Sequence, residues 1–290
     1  MPDLDTHARW RLNVAIDLAR KLRTFDGIQA IVVGGSVARG YADHYSDLEL
    51  PIFWDRAPDD TARHGIMSTL DATLMGDYDG PSGEDNLVID GLQVDFWHNT
   101  VAAEDAVIDA VLRRHSTDLG DSNFMDTVRW CIPLRGTEII EGWKRRAREY
   151  PDALAERHIR ENLAYLETHV RVQRLELDDA RDNPTLFYEH IAEIQRRIFL
   201  ILLAVNRAYF PTFKWMYHSL DALSIKPHDI VERLRAAFDA PHDGAIADTN
   251  RLVHETFALL DRHHPEIDTS ATTEAIARRR IAHDGPIHLD

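Results

Sequence analysis

Hydrophobic and polar positions alternate in two different rhythms along the 290 residues, and the change between them divides the chain. From about His7 to Phe25, Trp10, Val14, Leu18 and Leu22 recur at steps of four, which predicts an amphipathic helix stopped by Asp26-Gly27. "IQAIVVGG" follows, a short β-branched apolar run that reads as a buried strand ended by Gly34-Gly35. "SVARGYA" fits a short helix or turn. In "SDLELPIFW" acids and leucines alternate, so Asp47 and Glu49 fall on one face of a strand and Leu48 and Leu50 on the other. Pro51 places that strand at an edge or a bulge.

"DDTARHGIMSTLDATL" predicts a helix over 59–74, and the Gly-, Pro- and Ser-bearing "MGDYDGPSGEDN" a polar loop. "NLVIDGLQVDFW" then reads as two strands joined by Asp90-Gly91, a preferred dipeptide of two-residue hairpins. Asp95 lies in the second strand between Val94 and Phe96. Beyond Pro151 the rhythm is helical throughout, in four long stretches beginning at Asp152, Thr185, His228 and Ala245. Asn183-Pro184 supplies a cap followed by proline at the first helical position. The expectation is an α+β chain: a mixed-sheet domain over 1–142 and an all-helical bundle over 143–290, with the break between Arg135 and Pro151.

Composition narrows what such a chain does. Asp plus Glu number 49 against 33 Lys plus Arg, a formal net charge of −16, which repels a phosphate backbone unless basic residues cluster. The most basic stretches, "WKRRAR" and "ARRR", are interrupted or flanked by acids and read as solvated helix faces. A nucleic-acid partner is therefore disfavoured. The lone Cys131 excludes an internal disulfide and reads as a small buried thiol. The longest apolar run, "IFLILLAV", is far short of the roughly 20 residues that span a bilayer, and the polar start of the chain lacks a secretory signal. These features predict a cytoplasmic protein without a membrane partner. The 16 histidines are scattered and form no H-E-x-x-H, so a histidine-bound zinc is disfavoured.

The order of strand, Gly34-Gly35-Ser36 turn, short helix, Asp47-Leu48-Glu49 strand and later Asp95 strand resembles the active-site signature of the nucleotidyltransferase superfamily of DNA polymerase beta and kanamycin nucleotidyltransferase. That signature pairs a G-[GS] turn with a [DE]-h-[DE] strand and a third carboxylate. Glu49 stands where Asp is the more frequent residue. Asp43 and Asp90 are alternatives for the third acid, Asp90 being better suited to the hairpin turn. The resemblance implies that Asp47, Glu49 and Asp95 are catalytic and hold Mg2+, as two ions, because carboxylates two apart on a strand repel unless hard cations bridge them. The Gly34-Gly35 turn would let backbone N–H groups approach the phosphates of ATP or another nucleoside triphosphate without a Cβ in the way, Gly35 being the nucleotide-binding glycine, and Ser36 would add a hydroxyl donor at a helix N-terminus. Arg39 either reaches the triphosphate or pairs with Asp43 or Asp47. "YFP..KW", from Tyr209 to Trp215, resembles a segment of the DUF4037 group, and Lys214 within it is a candidate triphosphate contact whose alternative is a snorkelling surface residue.

The implied activity is a nucleotidyltransferase that moves a nucleoside monophosphate, AMP from ATP, to a hydroxyl of a small molecule and releases pyrophosphate. An aminoglycoside- or lincosamide-like antibiotic is the acceptor class suggested, which would make the protein a resistance enzyme. Glu84, Glu161 and Glu189 are candidate acceptor bases. A toxin-type or regulatory transferase acting on tRNA or protein, and a degenerate nucleotide-binding protein, are the competing readings.

Overall fold

Asp90 and Gly91 both take positive φ, 49° and 80°, the backbone of a tight hairpin turn, and join β4 (Glu84–Ile89) to β5 (Leu92–Thr100) as the sequence predicts. A computed structural model of the chain describes residues 5–75, 83–171, 173–283 and 285. The hairpin belongs to a six-stranded mixed sheet in the order β3-β4-β5-β2-β1-β6, where β1 is Ile28–Val33, β2 Leu48–Trp54, β3 Thr73–Leu74 and β6 Ile132–Arg135. Only β2 and β5 run parallel; the other neighbours are antiparallel. This α+β unit covers Met1–Glu149, and a second unit covers Tyr150–Asp290.

In the first unit, Leu48, Leu50, Ile52 and Trp54 of β2 and Val94 and Phe96 of β5 share a core with α1 (Thr6–Lys21) and α3 (Asp60–Leu70). The opposite face of β2 carries Glu49 at one end. At the other end Phe53 packs edge-to-face on Phe124 of α5 (Leu119–Trp130) and on Trp143 of α6 (Thr137–Ala147). The short α2 (Gly35–Arg39) follows β1, and α4 (Val101–Arg114) follows β5. α6, which contains residues 142 and 143, lies wholly in this unit.

Three local expectations are corrected. The buried side of α1 is Ala8, Leu12, Ala15, Leu18 and Ala19, while Trp10 is 40% exposed, so the true stripe is displaced by small alanines from the one the large residues mark. The helix expected to reach Leu74 ends at Leu70, because Asp71 turns left-handed (φ 53°) and releases Thr73–Leu74 to pair with β4. β2 is internal and not an edge. Its ladder to β1 includes Ile52, Phe53 and Trp54 and stops short of Pro51, while the ladder to β5 runs through Pro51, so the missing N–H falls where pairing to β1 has ended.

The second unit is helical among its described residues: α7 (Asp152–Val170), α8 (Arg174–Ala180), α9 (Pro184–Val205), α10 (Met216–Ala222), α11 (Ile230–Ala236), α12 (His242–His263) and α13 (Ser270–Ala277). Asn183 caps α9 by accepting from Leu186 N–H at 3.2 Å, with Pro184 at the first position. Every residue from Ile198 to Val205 is buried, which makes α9 the central helix. The stretch expected to continue through Asp152–Ala180 is broken where Gln173 adopts φ 59°. Among the described residues no helix is long and apolar enough to cross a membrane.

Candidate active site

The turn after β1 is held from both sides. Gly34 N–H donates to the Glu49 carbonyl at 3.0 Å, which ties the turn to β2, and Ala38 N–H donates to the Gly34 carbonyl at 3.2 Å to start α2. Gly35 has φ 53°, and a Cβ built on it would overlap the Glu49 carboxylate. The acid therefore lies over the turn, at the positive end of α2, in the place the sequence reading gives to phosphate. The Gly34 N–H is likewise committed to Glu49, through its carbonyl. Ser36 is buried beneath the turn.

Glu49 and Asp95 are register partners on the parallel strands β2 and β5, which places their backbones about 4.8 Å apart with side chains on one face. Asp47 immediately precedes β2 and is half-buried. Asp95 is buried and accepts from Gln93 Nε2 at 3.1 Å. Asn86 faces Asp95 from β4. With its amide nitrogen turned to the carboxylates it donates to Asp95 Oδ1 at 2.8 Å and to Glu84 Oε1 at 3.2 Å. Glu84 thus opens β4 instead of lying in a loop, and it shares the acidic face. The alternatives to Asp95 are used elsewhere: Asp43 accepts from Tyr45 N–H and Ser46 Oγ, and Asp90 is the exposed turn residue. Among the described residues no three His, Cys, Asp or Glu side chains converge to hold a metal ion. Glu49 is turned to Gly35, and Asp95 to Gln93 and Asn86.

Arg39 pairs with neither Asp43 nor Asp47. Its side chain is 6% exposed and forms an ion pair with Asp126 of α5, and it donates to the Gly35 carbonyl at 3.3 Å, so it backs the turn from inside. Burial draws its guanidinium below the usual arginine value, while the Glu49 charge works against that shift.

Three groups escaped the sequence reading. Arg11 is buried on α1 and donates from Nε to the Ser46 carbonyl at 3.0 Å, anchoring the loop that leads to Asp47. An arginine between Ala8 and Leu12 on an apolar face was the available signal. Glu104, in the first turn of α4, is buried and pushed up to about 7 by burial, against a hydrogen bond from Asn99 and with help from Asp121. On the core face, Arg63 donates to Asp85 at 3.0 Å (Nε) and 2.5 Å (Nη2), and His98 Nε2 lies 3.0 Å from the same carboxylate. Trp54 Nε1 donates to His98 Nδ1 at 3.1 Å, which leaves Nε2 as the donor to Asp85. Cys131 is a buried thiol, pushed up to about 12 by burial.

The remaining candidates lie in the second unit. Tyr209 and Phe210 are buried in its core, whereas Lys214 is exposed with Nζ 5.5 Å from the Trp215 ring centroid. Glu161 is exposed and accepts from Arg157 at 3.0 Å; Glu189 is exposed on α9.

Residues 133–216 match the family described as Domain of unknown function (DUF4037). The resemblance of the Tyr209–Trp215 segment to that group is thereby borne out. The match covers under a third of the chain and contains Lys214 but none of the three acids. No curated protein matches the sequence. Among solved structures, the chain is similar to a nucleotidyltransferase-like protein from Exiguobacterium sibiricum 255-15, at 12% identity and a TM-score of 0.36, over 90% of this chain and 80% of that one. It is also similar to a CCA-adding enzyme in complex with CTP, at 13% identity and a TM-score of 0.33, over 96% of this chain and 70% of that one.

Proposed function

We propose that the protein is a nucleotidyltransferase that transfers AMP from ATP to a hydroxyl of a small molecule, within the cytoplasm, and releases pyrophosphate. The observation that carries this reading is the in-register placement of Glu49 and Asp95 on parallel strands, with Asp47 beside them and the Gly34-Gly35 turn beneath the Glu49 carboxylate. Three carboxylates and no nitrogen or sulfur donors form the set a hard cation prefers, so Asp47, Glu49 and Asp95 would hold Mg2+. When bound, the metal would neutralise triphosphate oxygens and acidify the acceptor hydroxyl.

The chain's own residues do the rest. Glu49 swings off Gly35 to admit a phosphate to the turn, exchanging one anion for another at the end of α2. Asp95, oriented by Gln93 and Asn86, accepts the acceptor's proton, and Glu84 stands one hydrogen-bonded residue away as a second base. The acceptor oxygen attacks the α-phosphorus, the bond to the β-phosphate oxygen breaks, and pyrophosphate leaves. Arg39 supports the turn from behind.

Incubation with α-labelled ATP, Mg2+ and an acceptor panel tests the reading. Wild type is expected to label an acceptor and release pyrophosphate, and Asp47→Asn, Glu49→Gln and Asp95→Asn to lose at least about a hundredfold of that rate. Nucleotide bound without pyrophosphate release, or equal rates in all four proteins, would overturn it.

A further inference from the structure

A cleft of about 710 Å3 lies between α1 and β6, the strand at one edge of the sheet. Leu12 and Ile16 of α1 and Ile132 and Leu134 of β6 form its apolar floor, and Arg20, Arg23 and Arg135 its polar rim. We propose that this cleft binds a free single-chain amphiphile, a lipid chain ending in a phosphate monoester. The site is independent of the function proposed above.

The two chemistries are separated along the cleft. Arg135 Nη1 donates to the Leu22 carbonyl at 3.5 Å, so the C-terminal end of β6 lies against the C-terminal end of α1. The three arginines therefore gather at one end. Ile16 and Leu12 lie about two and three turns back from Arg23. Ile16, Ile132 and Leu134 pack against the core of the first unit yet stay partly exposed, which leaves apolar surface open along the floor. Apolar walls with a few charged groups at one end, in a cleft of this volume, are the makings of a small-ligand site.

The rim selects the head group. Among the described residues no acid lines the cleft, and Arg20 alone of the three arginines pairs with a carboxylate, that of Asp17 at 2.8 Å, both side chains being more than half exposed. An exposed pair of that kind is weak and yields to a stronger anion. Three positive charges against one negative leave the charge that a phosphate monoester neutralises at pH 7, roughly two. Planar guanidiniums also bind phosphate oxygens in pairs.

Other occupants of such a cleft fit less well. An added strand would have to pair with β6, yet Pro133 stands in its ladder opposite Val32, and a proline there turns its missing N–H to the open edge. A second copy across a two-fold axis would set the arginines of one cleft against those of the other. An anionic bilayer would meet a chain of net charge −16 with three cations at the cleft. A free amphiphile meets none of these obstacles.

The test is calorimetric titration of the full chain with dodecyl phosphate below its micelle concentration, beside hexyl phosphate, inorganic phosphate and dodecyltrimethylammonium. One dodecyl phosphate is expected per chain, bound at least tenfold more tightly than each of the other three. Arg20→Gln and Arg23→Gln, at exposed positions, are each expected to weaken it by about two- to fivefold, and together by about tenfold. Ile16→Ser is expected to narrow the difference between the dodecyl and hexyl chains. Equal binding of the anionic and cationic dodecyl chains, or of the two phosphate chain lengths, overturns the proposal. So does uptake of many dodecyl phosphates per chain, or binding unchanged in the double arginine variant. A dimer in sedimentation that excludes dodecyl phosphate would assign the cleft to a second copy, and capture by phosphatidylglycerol vesicles without binding of the free amphiphile would assign it to a membrane; either result overturns the proposal as well.

Discussion

The Glu49 carboxylate rests on the bare Cα of Gly35, a residue whose φ of 53° itself favours glycine. Gly35→Ala therefore meets two penalties, about 1–2 kcal/mol for a left-handed alanine and a further displacement of Glu49. Removing the acid relieves only the second. The double change Gly35→Ala with Glu49→Ala is expected to be less destabilised than the sum of the singles, with a coupling of about 0.5–3 kcal/mol in urea unfolding. Strict additivity would mean that Glu49 does not occupy the turn in solution.

Arg39 and Asp126 form a buried ion pair that joins the turn helix to α5. Removing one partner strands a charge in the interior, so Arg39→Ala is expected to cost about 3–5 kcal/mol. Pairing it with Asp126→Ala should recover a large part of that. If Arg39 were instead a nucleotide contact at the surface, the single change would leave stability near wild type and raise the KM for ATP alone.

The contrast between these two residues shows where sequence reasoning reached its limit. Gly35 was legible because glycine at the end of an apolar strand has few uses, and the alternation around Asp47 and Glu49 marked their shared face. What lay against the glycine was not legible, since that depends on which strand pairs beside β1. The same holds for Asp95: its strand was readable from the Asp90-Gly91 turn, but its register with Glu49 is a long-range pairing. Glu84 and Asp85 looked like loop because Glu-Asp-Asn is loop composition. The hairpin ladder to β5, His98 on that strand and Arg63 of α3 make them a strand. On α1 the large residues at steps of four drew attention from Ala8, Ala15 and Ala19, which a helix can bury more closely than Trp10.

Asp85 links acid stability to the core face. Burial alone would push its carboxyl up, but hydrogen bonds from His98 and Arg63 outweigh it and hold the group at about 2, against 3.8 for the free side chain. A depressed carboxyl stabilises the fold fully above the unfolded value and loses that contribution as pH falls through the folded one. About 2 kcal/mol should therefore disappear between roughly pH 4 and pH 2. Urea unfolding across that window checks it. Asp85→Asn should lack this component and, by stranding the Arg63 guanidinium, should be less stable at pH 7 by about 3–5 kcal/mol.

Glu104 gives the opposite sign in a neighbouring window. Its carboxyl is pushed up to about 7 from 4.5, so between those values the folded state binds a proton that the unfolded state has released. Stability then falls as pH rises from about 4.5 to 7, by about 3 kcal/mol in all, and is flat in this term above. Glu104→Gln keeps the shape and the partner for Asn99 while removing the charge. It should match wild type near pH 4, exceed it at pH 8 by an amount approaching that loss, and flatten the pH profile of the unfolding midpoint. A variant less stable than wild type at pH 8 would show that the fold favours the Glu104 carboxylate, Asn99 holding it more strongly than burial opposes it.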